Sequence, residues 1–310
     1  MNVLFLDKVH DVVRQELEAS GYACEMWNGK TRLTDIAGSY HGFIVRSGVQ
    51  IDKPLLDAAV NLRFIGRQGA GLENIDVRYA QKKGVNVFNS PEGNRDAVGE
   101  HALGMLLSLM NHLPRADRQV REGLWIREEN RGAEINEKTI GIIGYGNMGS
   151  AFAGKLSGFN CRILAYDKYK SGFGNQNVTE AGYEDIFRET DILSLHVPLT
   201  DETSGLVDRA YLSAFHKPIW LINTARGPIV NTADLLHALD EKRLKGAALD
   251  VLEYEEHSFK GLRYDDQPET FKKLMENNKV ILSPHIAGWT IESKYKTGKV
   301  LADKILKLKG

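Results

Sequence analysis

The chain alternates short, almost wholly apolar runs with longer stretches whose apolar positions recur every three to four residues. Runs at 3–6, 42–45, 63–66 and 86–88 read as strands buried on both faces of a parallel sheet. Between them, 9–19 sets Val9, Val12, Val13 and Leu17 on one helical face, and Pro54 opens a helix over 54–59 at the position where its missing N–H is harmless. A long helical pattern over 96–123 carries Ala97, Val98, His101, Ala102, Met105, Leu106 and Leu109, and Pro114 is expected to bend or end its first segment. The alternation then restarts, with strands expected at 139–143, 162–166, 192–196, 219–222, 246–249 and 280–282. A short helix is expected around 270–277, and 291–308 is helical but too short for a domain, so it should pack back on the first one. The expected fold class is α/β, with two doubly wound parallel sheets.

Length agrees with two sheets, because 310 residues exceed the usual reach of one hydrophobic core. Apolar residues at 42% and charged residues at 26% describe a globular chain. With 40 basic against 41 acidic residues there is no overall field to gather nucleic acid or an anionic membrane, so neither is expected as a partner. Cys24 and Cys161 have no metal-ligand spacing and read as small buried thiols of a reducing compartment. The first apolar run reaches a charge at Asp7, and no uncharged run approaches membrane-spanning length, so a cytoplasmic location is expected.

The first chemistry-bearing motif follows the strand at 139–143: Gly144-Tyr145-Gly146-Asn147-Met148-Gly149. Such a turn needs its glycines for a tight bend, for close approach of backbone to a pyrophosphate, and for helix-on-strand packing, with the phosphates at the helix N-terminus. A glycine turn of this form also occurs as a plain strand–helix bend. The next strand ends in Asp167, 18 residues past Gly149, near the offset at which a carboxylate receives ribose hydroxyls and repels a 2′-phosphate. NAD is therefore the expected cofactor, in preference to NADP.

Three further segments, Asn223-Thr224-Ala225-Arg226-Gly227, Ala247-Ala248-Leu249-Asp250-Val251 with Glu255, and Ser283-Pro284-His285-Ile286-Ala287-Gly288, resemble the signature of the D-isomer-specific 2-hydroxyacid dehydrogenases. Residues 44–47, 65–76 and 98–102 resemble that family's substrate-domain loops and linking helix. The resemblance implies a Rossmann NAD-binding domain over 95–287, inserted into a flavodoxin-like substrate domain made of 1–94 plus 288–310, a cleft between the two, and a homodimer. It also implies that Asp250 bonds the nicotinamide carboxamide, that His196-Val197-Pro198 lies beneath the adenosine, and that Thr224, Ala225 and Gly288 belong to the cofactor's surroundings.

Reduction of a 2-oxo acid needs a cation for the carboxylate, a proton donor for the carbonyl oxygen and a hydride near the carbonyl carbon. Arg226, with its planar fork of donors, suits the first role. His285 suits the second, because imidazole gives and takes a proton near neutrality, and a carboxylate beside the ring favours its charged form. Glu253, Glu255 and Glu256 compete for that position, since Glu256-His257 stands where the family has proline after the glutamate. Glu255, five residues past Asp250, has the family's spacing and is the expected partner. The segment that follows it is longer than the family pattern and could affect substrate access.

On the substrate side the resemblance points to Arg46 and Ser47, to Arg67, to Gly69-Ala70-Gly71 as backbone donors, and to Arg127, which resembles an arginine that 3-phosphoglycerate dehydrogenases offer from the neighbouring subunit. A cluster of cations suits a phosphate, so the pattern is closest to a short D-3-phosphoglycerate dehydrogenase without the serine-sensing domain. Against that, Gly48-Val49-Gln50 stands where many such enzymes carry Thr-Lys. A hydroxypyruvate or glyoxylate reductase is the alternative within the class. An NAD-sensing corepressor, which shares the fold and the catalytic residues, is the alternative outside it.

Overall fold

The computed structural model describes residues 1–255 and 267–309. The chain divides into two compact units, Met1–Arg95 with Trp289–Gly310, and Asp96–Gly288.

In the first unit the elements run β1 (Asn2–Phe5), α1 (Asp11–Ala19), β2 (Ala23–Met26), α2 (Leu33–Ile36), β3 (Gly42–Val45), α3 (Lys53–Ala58), β4 (Phe64–Arg67), α4 (Val77–Lys82) and β5 (Asn86–Phe88). All pairings are parallel, in the order β2-β1-β3-β4-β5, the flavodoxin-like winding. Helix starts are set locally: the side chains of Asp52 and Asp76 each accept a backbone N–H of the first turn that has no partner within the helix. At β3 all four residues are buried, as its apolar run requires. The edge strand β2 has no such run; Ala23, Glu25 and Met26 are exposed and its half-buried Cys24 is not the enclosed thiol expected. Cys161 is likewise only half-buried.

The second unit begins with α5 (Arg95–Met110) and α6 (Leu113–Arg121). The expected long helix is broken at His112, which is left-handed at φ 53°, and Pro114 lies in the first turn of α6 instead of ending α5. There follow β6 (Thr139–Ile143), α7 (Asn147–Lys155), β7 (Arg162–Tyr166), β8 (Val178–Glu180), α8 (Tyr183–Glu189), β9 (Ile192–Leu195), α9 (Arg209–Ser213), β10 (Ile219–Asn223), α10 (Thr232–Asp240), β11 (Leu244–Leu249), α11 (Glu269–Glu276) and β12 (Val280–Leu282). The seven parallel strands are ordered β12-β11-β10-β9-β6-β7-β8. The winding reverses between β6 and β9, the switch point outside which open α/β sheets bind their ligands.

The first unit is completed by α12 (Ile291–Leu306), whose Leu301 and Ile305 are buried with Val13, Ile44 and Phe64. The helix starts in a reciprocal cap: Thr290 Oγ1 accepts the N–H of Ser293 at 3.0 Å, and Ser293 Oγ accepts that of Thr290 at 2.9 Å. Buried Gln68, just past β4, fastens it further by donating to Lys294 O and Thr297 Oγ1 while accepting the N–H of His10.

Candidate functional site

Most of the cofactor and catalytic residues expected in the second unit lie just beyond the carboxyl end of a strand, or in the first turn of the helix that follows one, and Glu255 and Gly288 lie further along the loops after β11 and β12. Gly144 to Gly149 follow β6, Asp167 follows β7, His196 follows β9, Thr224 to Arg226 follow β10, Asp250 follows β11, and His285 follows β12.

At the switch point Gly144 has φ 91°, and an added Cβ would stand 2.5 Å from the carbonyl oxygen of His196, so only glycine fits. A side chain at Gly149 would collide with the Gly144 carbonyl, which is how this glycine brings α7 close under β6. Gly146 is different: open space faces its Cα, and Asn147 and Met148 follow it as the first residues of α7. Open backbone at a helix start is what a pyrophosphate needs. Asp167 accepts the N–H of Tyr145 at 2.8 Å on Oδ2 and that of Tyr169 at 2.9 Å on Oδ1. Its remaining lone pairs are available to a ribose diol.

Below this turn, His196 Nε2 lies 2.8 Å from Ser194 Oγ, while its enclosed Nδ1 has no hydrogen-bond partner among the described residues. Burial pushes the imidazole down to about 4, so the ring is neutral at pH 7. Part of the residue still reaches the surface, but enclosure of the nitrogen decides the cost of charging it. Val197 packs on Gly144, and the Pro198 carbonyl accepts the Thr203 hydroxyl at 2.6 Å.

The loop after β10 is shaped by buried Asn223, whose Oδ1 accepts the N–H of Ala225 and whose Nδ2 donates to Arg226 O, each at 3.0 Å. The Thr224 hydroxyl is buried with no partner among the described residues, as fits a neighbour of a cofactor. Arg226 Nη1 donates to Ala225 O at 2.7 Å. At Gly227 an added Cβ would overlap the Leu252 carbonyl, which locks this loop against the turn that carries Glu255.

His285 is left-handed, with φ 54°, and its Nδ1 is 3.1 Å from each oxygen of Glu255. A carboxylate only accepts, so Nδ1 carries the proton and Nε2 is turned away from the pair. Both side chains are about three-quarters buried or more, at 25% and 20% exposure. Of the competing acids, Glu253 is occupied elsewhere, its Oε2 taking the N–H of Thr232 at the start of α10. Glu256 and His257 lie outside the described residues.

Asp250 is 1% exposed. Burial raises its pKa, but hydrogen bonds from His101, Ser283 and the N–H groups of Ala287 and Ile286 outweigh that and hold the carboxyl below its usual value. Its own main-chain oxygen accepts the N–H of His285 at 2.7 Å. Gly288 closes this loop.

In the first unit Arg46 and Ser47 follow β3, and Arg67 with Gly69 to Gly71 end or follow β4. Asp7 Oδ2 accepts the N–H groups of Arg46 and Gly48 at 2.8 and 3.0 Å, which pins the turn. The Arg46 guanidinium lies 4.2 Å from the centroid of the Trp289 ring. The donors expected at 69–71 narrow to the amides of Ala70 and Gly71, because Gly69 N–H already donates to Ser90 Oγ. Arg67 folds back over Gly69 and donates to Gln68 O at 3.4 Å. Arg127 is exposed on the segment after α6, as is Trp125, and among the described residues no hydrogen bond or ion pair joins its side chain to Arg226, Glu255 or His285. Asp7, His101, Asn223 and Ser283 take part in these arrangements without having been given a role from the sequence; the partners of Asp7, His101 and Ser283 are too distant along the chain for spacing to show them, whereas Asn223 acts within its own loop.

Residues 103–287 match the family profile described as D-isomer specific 2-hydroxyacid dehydrogenase, NAD binding domain. D-3-phosphoglycerate dehydrogenase of Archaeoglobus fulgidus is 32% identical over 312 residues, covering 99% of this chain and 57% of that protein. Hydroxypyruvate reductase of Thermotoga maritima is 32% identical over 294 residues, covering 95% and 92%. The crystal structure of D-lactate dehydrogenase from Aquifex aeolicus with NAD and lactic acid superposes with a TM-score of 0.84 at 27% identity, covering 99% of this chain and 95% of that one. The chain spans about half the length of the D-3-phosphoglycerate dehydrogenases it matches. On the family profile, the full-length relatives and two parallel sheets wound as theirs are, the chain belongs to the D-isomer specific 2-hydroxyacid dehydrogenases.

Proposed function

We propose that the protein is an NAD-dependent oxidoreductase interconverting a D-2-hydroxy acid and its 2-oxo acid, and that the pair it serves is D-3-phosphoglycerate and 3-phosphohydroxypyruvate. The observation that carries the chemistry is the His285–Glu255 pair, set on the same sheet edge as the glycine turn. Glu255 fixes the ring with Nδ1 protonated, so Nε2 is the atom that passes a proton to the carbonyl oxygen in reduction and takes it from the hydroxyl in oxidation. Arg226 holds the substrate carboxylate through paired donors and polarises the carbonyl beside it. Asp167 and the open backbone from Gly146 hold the ribose and pyrophosphate, and Asp250 the carboxamide. Bound NAD supplies the hydride in one direction and accepts it in the other. The choice of a phosphorylated substrate is supported by the relatives of that name and by Arg46, whose turn is pinned by Asp7 and whose guanidinium is stacked on Trp289.

The test is NADH oxidation with 3-phosphohydroxypyruvate, hydroxypyruvate and glyoxylate in parallel, and NAD reduction with D-3-phosphoglycerate. The highest kcat/KM is expected for the phosphorylated pair. Faster turnover of hydroxypyruvate or glyoxylate would assign the protein to the reductases instead. His285→Gln should lower kcat by about 10²–10⁴-fold with NADH binding retained; an unchanged kcat sinks the mechanism.

A further inference from the structure

The loop bearing His285 hangs on Asp250, and Asp250 is itself gripped by a histidine from another element. Ser283 Oγ donates its single hydrogen to Asp250 Oδ1 at 2.5 Å. At His101 Nε2, 3.0 Å away, the same hydroxyl must therefore accept, which requires His101 to carry its proton on Nε2. That nitrogen also stands 3.4 Å from Asp250 Oδ1. The Ile286 N–H reaches the same oxygen at 2.9 Å, whereas Oδ2 takes only the Ala287 N–H, at 2.8 Å, among the described residues. A carboxylate oxygen has two lone-pair directions, so Oδ1 is filled and Oδ2 keeps one open.

We infer that His101, on α5, is a positioning residue: through Ser283 and Asp250 it sets which carboxylate lone pair is offered to the nicotinamide carboxamide and where the His285 loop stands. This rests on the dehydrogenase reading above for its effect on turnover, but not for its effect on cofactor binding. Three of the bonds that shape the loop, from Ser283, Ile286 and Ala287, end on this one carboxylate, and a fourth, from the His285 N–H, ends on the main-chain oxygen of the same residue. Without the ring donor, Ser283 Oγ loses its fixed orientation, and the carboxylate can rotate to share its lone pairs differently. Misplacement then reaches the carboxamide and the proton-transferring ring together.

The experiment compares His101→Leu, His101→Gln and Ser283→Ala in the full chain, reading NADH affinity by fluorescence titration alongside kcat and the KM of the 2-oxo acid. His101→Leu should weaken NADH binding and lower kcat by about tenfold to a hundredfold, with the KM of the oxo acid nearly unchanged, because geometry and not carboxylate grip is lost. His101→Gln, whose amide can donate to Ser283, should recover most of both. Ser283→Ala should match His101→Leu, and the double variant should be no worse than either single one. Equal losses in Leu and Gln, a Leu variant at wild-type kcat and affinity, or additive losses in the double variant would overturn the inference. A wild type that binds NADH but turns over no 2-oxo acid refutes the dehydrogenase reading alone; the ranking of the variants in NADH affinity then still decides on His101.

Discussion

Lowering the pH should weaken the second unit through one residue, His196. In the unfolded chain this histidine takes up a proton near its ordinary value of about 6.5, whereas burial holds it at about 4 in the fold. Between those values the unfolded state binds one more proton than the folded state, so stability must fall as pH falls. The full difference, at about 1.36 kcal/mol per pKa unit, is roughly 3 kcal/mol. From pH 7 down to pH 4.5 about 2 kcal/mol of it is lost, since the residue is already slightly charged in the unfolded chain at the upper pH and the fold begins to take up its own proton at the lower. The perturbation is His196→Gln, which keeps a donor near Ser194 and removes the titration. Urea unfolding of both proteins at pH 7 and 4.5 gives two differences, and the one for wild type should exceed the one for the variant by about 2 kcal/mol. Comparing each protein with itself cancels any pH-independent cost of the substitution, and the carboxylates titrate in both. Equal pH dependence in the two proteins would refute the reasoning, and would mean that the enclosed Nδ1 is charged or solvated at little cost.

Gly227→Ala should cost about 1–3 kcal/mol in urea unfolding, because a methyl there overlaps the Leu252 carbonyl and must push apart the loops carrying Arg226 and Glu255; a larger proportional loss in kcat than in substrate KM is expected with it. Replacing Asp167 by Ala should shift the NADP-to-NAD ratio of kcat/KM upward by at least about tenfold, since two like unit charges about 4 Å apart repel by roughly 4 kcal/mol at an effective dielectric of about 20 and the substitution removes one of them. An unchanged ratio in that steady-state comparison would remove Asp167 from cofactor choice.

What the sequence made legible follows from what is local. Strands are written as short apolar runs, and those at 42–45, 86–88, 139–143, 162–166 and 280–282 stand where the pattern set them, although β5 and β12 prove to be half-buried edge strands. The edge strands β2 and β8 escaped because each leaves most of its side chains in water, so charged and polar residues interrupt any apolar run, whereas the other two edges, β5 and β12, keep theirs. The break between α5 and α6 escaped for another reason: His112 takes the left-handed conformation without a glycine to announce it. The glycine turn, the arginine loop and the histidine loop are contiguous and could be read as motifs. The links that hold them could not, since Ser283 is 182 residues from His101 and Gln68 is 229 from Thr297. The choice of Glu255 over Glu253 rested on spacing; in the structure each acid has a separate partner, His285 for one and the Thr232 amide for the other.

The seat of α12 in the first unit has a consequence for synthesis on the ribosome. Leu301 and Ile305 cover the side of the five-stranded sheet that holds Ile44 and Phe64, but 193 residues of the second unit, Asp96–Gly288, are translated in between. At about 5–20 residues per second, that face waits roughly 10–40 s for its cover. A nascent chain stalled after the second unit would therefore present a folded Rossmann body beside an unfinished partner with a bare apolar side, a natural holding site for chaperones.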